Sequence, residues 1–155
     1  MSAPYITVDG TSYALDSLND RTRLLASDLL RTVQEYRGLI ANYRQSVTLT
    51  STYSGGLKQE VEKAELPVAI ENPYSDEEKP TIKIGEVSYE ASDLPDSVKA
   101  YVAELVRANN QKTQLEFRLR QLDAARNAYV KAIQDEIVET KPEPMDPQPE
   151  AGDND

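Results

Sequence analysis

Residues Ile6 to Leu18 read ITVDGTSYALDSL, and 76 positions later residues Ile82 to Leu94 read IKIGEVSYEASDL. Adding 76 to every number from Ile6 to Val61 carries the match to Ile137 without a gap. Ile6 meets Ile82, Tyr13 meets Tyr89, Leu18 meets Leu94, Asp20 meets Asp96, Leu39 meets Leu115, Arg44 meets Arg120, Tyr53 meets Tyr129 and Glu60 meets Glu136. Apolar character persists where identity is lost, as at Leu57 and Ile133. Identity and apolar spacing kept together over 56 positions point to two copies of one structural unit.

Each copy opens on a hairpin signal. Asp9-Gly10 supplies the two positive φ angles of a type I′ turn, and Gly85-Glu86 suits type II′, with Gly leading. A two-residue loop pairs Ile6 with Tyr13 and Val8 with Thr11, which leaves one apolar and one polar face. Such a hairpin needs a cover, and a helix follows. Ser17 with Asp20, and Asp93 with Asp96, have the side-chain oxygens and spacing for helix starts, and Pro95 suits a first turn.

The first apolar stripe runs through Leu24, Leu25, Leu29, Val33, Leu39, Ile40 and Tyr43, the second through Tyr101, Leu105, Leu115, Leu119, Leu122, Tyr129, Ile133 and Ile137. Two interruptions stand out. Ala108 to Thr113 carries two Asn where the stripe lapses, and predicts a bend. Ser46 to Ser54, followed by Gly55 and Gly56, costs helix stability and marks Gly55 and Gly56 as a candidate hinge.

These features predict an α+β, mainly helical chain: a tandem repeat of β-hairpin plus long amphipathic helix, with the helices packing as coiled-coil-like pairs. Repeat 1 spans residues 1–63, with hairpin 5–15 and a helix over about 17–62. Repeat 2 spans 81–138, with hairpin 81–91 and a helix over about 94–138. Residues 64–80 read as an acidic, Pro-containing linker and 139–155 as a disordered acidic tail.

Charge follows the same division. The formal net charge is −10, yet residues 64–80 hold five acids against one Lys and 139–155 hold six against one, so the two repeats are nearly neutral. Neither a basic nucleic-acid face nor an acidic folded face that mimics nucleic acid is implied. No apolar run approaches the roughly 20 residues of a membrane span. The opening Met-Ser-Ala-Pro-Tyr lacks a signal peptide's basic start. A cytoplasmic location, or one inside a virion, is expected.

The chain contains no Cys and no His, which removes thiolate catalysis, imidazole acid-base chemistry and Cys/His zinc sites. It carries no phosphate loop, dinucleotide fingerprint or nucleophile elbow. Asp76-Glu77-Glu78 lacks the spacing of a calcium loop. No catalytic residue, metal or cofactor is expected. Leu115, Leu119, Leu122, Arg126, Tyr129, Ile133, Leu39, Tyr43 and Tyr53 form a candidate interaction seam. Arg126 stands where an apolar residue would continue the stripe, as the charged edge of a narrow seam or as one half of an interchain ion pair.

The pattern I-x-I-x-G-x-x-Y-x-L-x-x-L-x-D, best seen in the first copy, is followed in the second by A-R-N-A-Y-x-x-A-I at Ala125 to Ile133. The unit resembles a family of short uncharacterised proteins of bacteria and their phages. Copy one departs from it, with Thr50 to Tyr53 in place of Arg126 to Tyr129. The resemblance implies a small, often phage-linked module and no known activity. A non-enzymatic assembly protein is expected, acting through helix-mediated contacts with itself or another protein, as a homo-oligomer or virion component, without nucleic acid or membrane. The alternative is an acidic regulatory adaptor that captures a host protein through linker and tail.

Overall fold

The structure is a computed structural model that describes residues 3–64, 66, 67 and 80–146. In chain order it holds strands β1 (Tyr5–Val8) and β2 (Thr11–Ala14), a 3-10 turn (Leu15–Ser17) and helix α1 (Asp20–Lys63). Strands β3 (Thr81–Ile84) and β4 (Val87–Glu90), a second 3-10 turn (Ala91–Asp93) and helix α2 (Asp96–Thr140) follow. The fold is therefore mostly helical, with two antiparallel hairpins, each followed by a long helix, and the two helices packed together.

The turns follow their sequences. Asp9 and Gly10 hold φ angles of 49° and 80°, the two positive values of type I′. In the second turn the positive φ is at Gly85, 62°, as type II′ requires. The ladders pair Ile6 with Tyr13 and Val8 with Thr11, then Ile82 with Tyr89 and Ile84 with Val87. Half-buried Ile6, Val8, Ile82 and Ile84 alternate with exposed Tyr5, Thr7, Thr81 and Lys83.

The helix starts differ from the sequence reading. Asn19 caps α1: its Oδ1 accepts both the backbone N–H and the hydroxyl of Thr22 at 2.8 Å. Ser17 instead donates to the Ala14 carbonyl at 2.7 Å, and Asp20 pairs with Arg23. Pro95 stands just before Asp96, where a missing N–H leaves no helical bond unmade, and its carbonyl accepts the Lys99 N–H at 3.1 Å.

Both helices run unbroken, so neither expected interruption ends or folds back a helix. Ala108, read as part of a gap in the stripe, is itself buried, so the stripe continues on a smaller side chain. Over Ser46 to Gly56 packing overrides weak intrinsic propensity. Ser46 and Leu57 are buried, while the Thr48 and Thr52 hydroxyls return to carbonyls four residues back, at 3.1 and 3.0 Å.

The burial pattern has one period throughout. Every α1 position reached from 22 by alternating steps of three and four, up to 60, is buried or half-buried, and so is each α2 position 76 later. Thr22, Thr32 and Ser46 lie on that line and are buried, whereas Leu24, read as part of the stripe, is 62% exposed. Their counterparts Val98, Ala108 and Leu122 are buried too.

The chain divides into two compact units. Unit 1 joins the first hairpin and α1 as far as Leu39 to α2 from Arg118 onward. Arg21 meets Glu136 at 2.9 Å and Arg118 meets Glu35 at 2.7 Å, so numbers that rise on one helix fall on the other. The two segments are antiparallel. Glu139 and Thr140 close α2 rather than opening a disordered tail, and the Met145 N–H donates to the Ser12 carbonyl at 2.7 Å. Residues 147–155 of the expected tail lie outside the described residues.

Unit 2 joins α1 from Ile40, the second hairpin and α2 through Phe117. Its core is Leu57, Leu94 and Val98, with Ile82, Ile84, Tyr89 and Tyr101 packed against it. Tyr43 on α1 meets Glu116 on α2, again in antiparallel sense with Gly56 beneath Tyr101. Of the expected linker, Ala64 and Leu66 also pack on this core; residues 65 and 68–79 lie outside the described residues. Each hairpin is thus completed by the start of its own helix and the end of the other one.

Candidate interaction surfaces

Leu119, Leu122 and Ile133 are buried, and Leu39, Tyr43, Tyr53, Leu115, Arg126 and Tyr129 are half-buried. These nine residues divide between the two units. Leu39, Leu119, Leu122, Arg126, Tyr129 and Ile133 belong to unit 1, whereas Tyr43, Tyr53 and Leu115 belong to unit 2. Within each unit the stripe packs against the chain's own second helix. The apolar surplus that the sequence offers to a partner is largely taken up internally.

Arg126 is satisfied within the chain. Its guanidinium donates to Asp123 Oδ1 at 2.5 Å, three residues back on the same helix, and lies 5.8 Å from the centre of the Tyr36 ring on α1. An interchain ion pair is not needed to explain a charge on the seam. Thr50, 76 positions earlier, is also on the seam, and its buried hydroxyl has no hydrogen-bond partner among the described residues.

Gly55 and Gly56, read together as a hinge, have different surroundings. A Cβ on Gly55 would meet nothing within 4 Å, whereas one on Gly56 would collide with the Tyr101 ring. The close approach of the Tyr101 ring is what requires glycine at 56. Gly56→Ala is expected to cost about 1–3 kcal/mol through overpacking. Gly55→Ala should gain about 0.5–1 kcal/mol by removing glycine's backbone entropy from a helix. Urea titrations followed by circular dichroism would show the opposite signs; equal shifts would contradict the packing account.

Tyr43 is the titrating group whose surroundings are distinctive. Its hydroxyl donates to Glu116 Oε1 at 3.0 Å. That hydrogen bond, then burial, then the charge of Glu116 raise its pKa above the ordinary tyrosine value. A raised folded pKa contributes stability that is present below about pH 10 and lost as pH climbs through the folded value. In an absorbance titration, one of the nine tyrosines should ionise later than in the Glu116→Gln variant. Superimposable curves would remove this bond from the account.

Sequence reasoning missed two features. One is the set of buried polar seam residues, Thr22, Thr32, Ser46 and Glu136, whose signal was their register with residues 76 away. The other is a cleft in unit 1 between β1 and α1, of about 1000 Å³. It is lined on the strand side by Ala3 to Val8 and on the helix side by residues from Arg23 to Arg37, with Ile133 also contributing. Among the described residues no Asp or Glu lines it. Among the described residues no cluster of three or more carboxylates could hold a metal ion, and no helix is long and apolar enough to cross a membrane.

No protein-family model matches the chain, and neither a curated protein nor a solved structure does.

Proposed function

We propose that this chain is a non-enzymatic structural or assembly protein, an internally duplicated hairpin-helix unit that presents surfaces for protein contacts, as an accessory component of a virion. The strict alternation of three and four along both helices supports the duplication and an antiparallel coiled coil, since a period of 3.5 residues is that of a left-handed supercoil. One observation carries the functional reading. With the seam already closed, Leu24, Leu30, Val106, Phe117 and Val138 remain more than half exposed on the helices. Apolar side chains that fold stability does not consume are available to a partner.

Phe117 and Val106 lie eleven residues apart on α2, three helical turns, and so share one stripe. Sedimentation at high micromolar concentration, with recovery of partners from the source particles, tests the reading. Self-association or a recovered partner, weakened by Phe117→Glu, is the expected result. A monomer that recovers nothing would remove its basis. Deleting residues 147–155 should leave assembly unchanged; salt-dependent loss of a basic partner would favour capture by the acidic tail instead.

A further inference from the structure

We propose that the cleft of unit 1 is a strand-addition site, in which an extended, acid-flanked peptide segment of a partner protein pairs with the outer edge of β1, which no described residue pairs with. The proposal rests on the reading of this chain as a binding protein and names its partner's chemistry. Ladder alternation fixes which groups are free. Leu15 N–H bonds to the Pro4 carbonyl and the Ser12 carbonyl points outward to Met145, so Thr7, opposite Ser12, also turns its backbone outward. The outer edge of β2 thus accepts the chain's own Met145, whereas no described residue bonds to the outward backbone groups of Thr7, and β1 lines the cleft.

Exposed strand edges are usually blunted by charge. The second hairpin obeys this, with Lys83 at the position of Thr7, but β1 carries no charged residue. The cleft wall differs as well, although Arg23 keeps a basic counterpart in Lys99. Tyr5, Leu30, Val33 and Arg37 line unit 1's cleft, whereas Thr81, Val106, Asn109 and Thr113 stand 76 positions later. Both hairpins have the same task in the fold, so the fold does not demand this difference. A ligand does.

The chemistry of the occupant follows from the lining. Arg23, Leu30 and Arg37 are spaced by seven on one line of α1, so the two guanidinium groups bracket an apolar centre over about 21 Å. About six residues of extended chain cover the same length. Arg37 makes no ion pair among the described residues, and Arg23 pairs only with exposed Asp20. A strand whose alternate apolar side chains face Leu30 and Val33, with a carboxylate toward either end, satisfies edge, wall and charge together. A second copy of this chain would bring Arg to Arg, and residues 147–155 offer acids but no large apolar residue.

Selection of a displayed random-peptide library on the full-length protein tests this. Enriched peptides should alternate apolar residues and carry acids at the flanks. Arg37→Glu should weaken them about tenfold or more, the loss of one charge-assisted contact. Thr7→Pro removes an outward N–H and spares the hairpin ladder, and so should abolish binding, while Thr7→Val, which equally loses the hydroxyl contact with Ser12, retains it. Circular dichroism should report an intact fold for each variant. No enrichment, or peptides bound equally by Thr7→Pro, would overturn the proposal. So would tighter binding after deletion of 147–155, which makes the chain's own tail the occupant, or a dimer that Thr7→Pro dissociates. Partners recovered from particles in the absence of any peptide binding would overturn this site alone and leave the assembly reading standing.

Discussion

Val98→Asp is expected to unfold unit 2 while leaving much of unit 1 protected. Val98 is fully buried in the cluster with Leu57 and Leu94, and the side chains around it are apolar or aromatic, including Ile82, Tyr89, Tyr101 and Leu105. A carboxylate placed among these apolar side chains is desolvated, at a cost of about 3–5 kcal/mol. Domains of this size have only about 5–15 kcal/mol in total. Burial raises the pKa of the new carboxylate, so the loss should shrink as pH falls through that raised value and the neutral acid forms. Hydrogen exchange should show protection lost over 40–63 and 80–117 and better kept over 20–39 and 118–140. Uniform loss along both helices would contradict the division into units.

The second large effect separates chain connectivity from packing. Ile133 is 2% exposed and lies near the end of α2, yet it lines the same cleft as Ile6, Val8 and Leu15 of the first hairpin. Ile133→Ala leaves a cavity there, with an expected cost of about 2–5 kcal/mol. The diagnostic is where the damage appears. Amides of β1 and β2 should exchange faster, and those of β3 and β4, which precede α2 in the chain, should change little. Faster exchange in the second hairpin alone would show that each hairpin packs with its own helix throughout.

The hairpins are legible in the sequence because their determinants are local. Asp9-Gly10 and a leading Gly85 each leave few turn types, and a two-residue turn then fixes which residues share a face. The seam is only half legible. Apolar periodicity finds Leu119, Leu122 and Ile133, but it favours Leu24 over Thr22, because it weighs residue type before position. Thr22 is admitted to the interior because Asn19, three residues earlier, satisfies its hydroxyl, a local cap that a ranking by apolar character passes over. The second copy, with Val98 at the equivalent position, holds the correction.

Helix continuity is hidden for a related reason. Propensity over Ser46 to Gly56 is poor, and what sustains α1 there lies far along the chain. Gly56 accepts the Tyr101 ring, and Leu57 joins a core built mainly from the second hairpin and α2. Arg126 likewise reads as an orphan until Tyr36 is brought beside it. The cleft could not be read from a single copy at all. It becomes visible when Thr7 is set against Lys83 and Arg37 against Thr113, once the strand and helix that carry them are known to form its walls.

The central claim is that each hairpin is completed by the end of the other half's helix. Expressing residues 1–67 and 68–155 as separate chains, and following hairpin amide exchange before and after mixing, tests it most directly. The expected result is a one-to-one complex in which both hairpins become protected, with neither protected in a monomeric fragment. A fragment that stays monomeric, ignores its counterpart and protects its own hairpin would contradict the account.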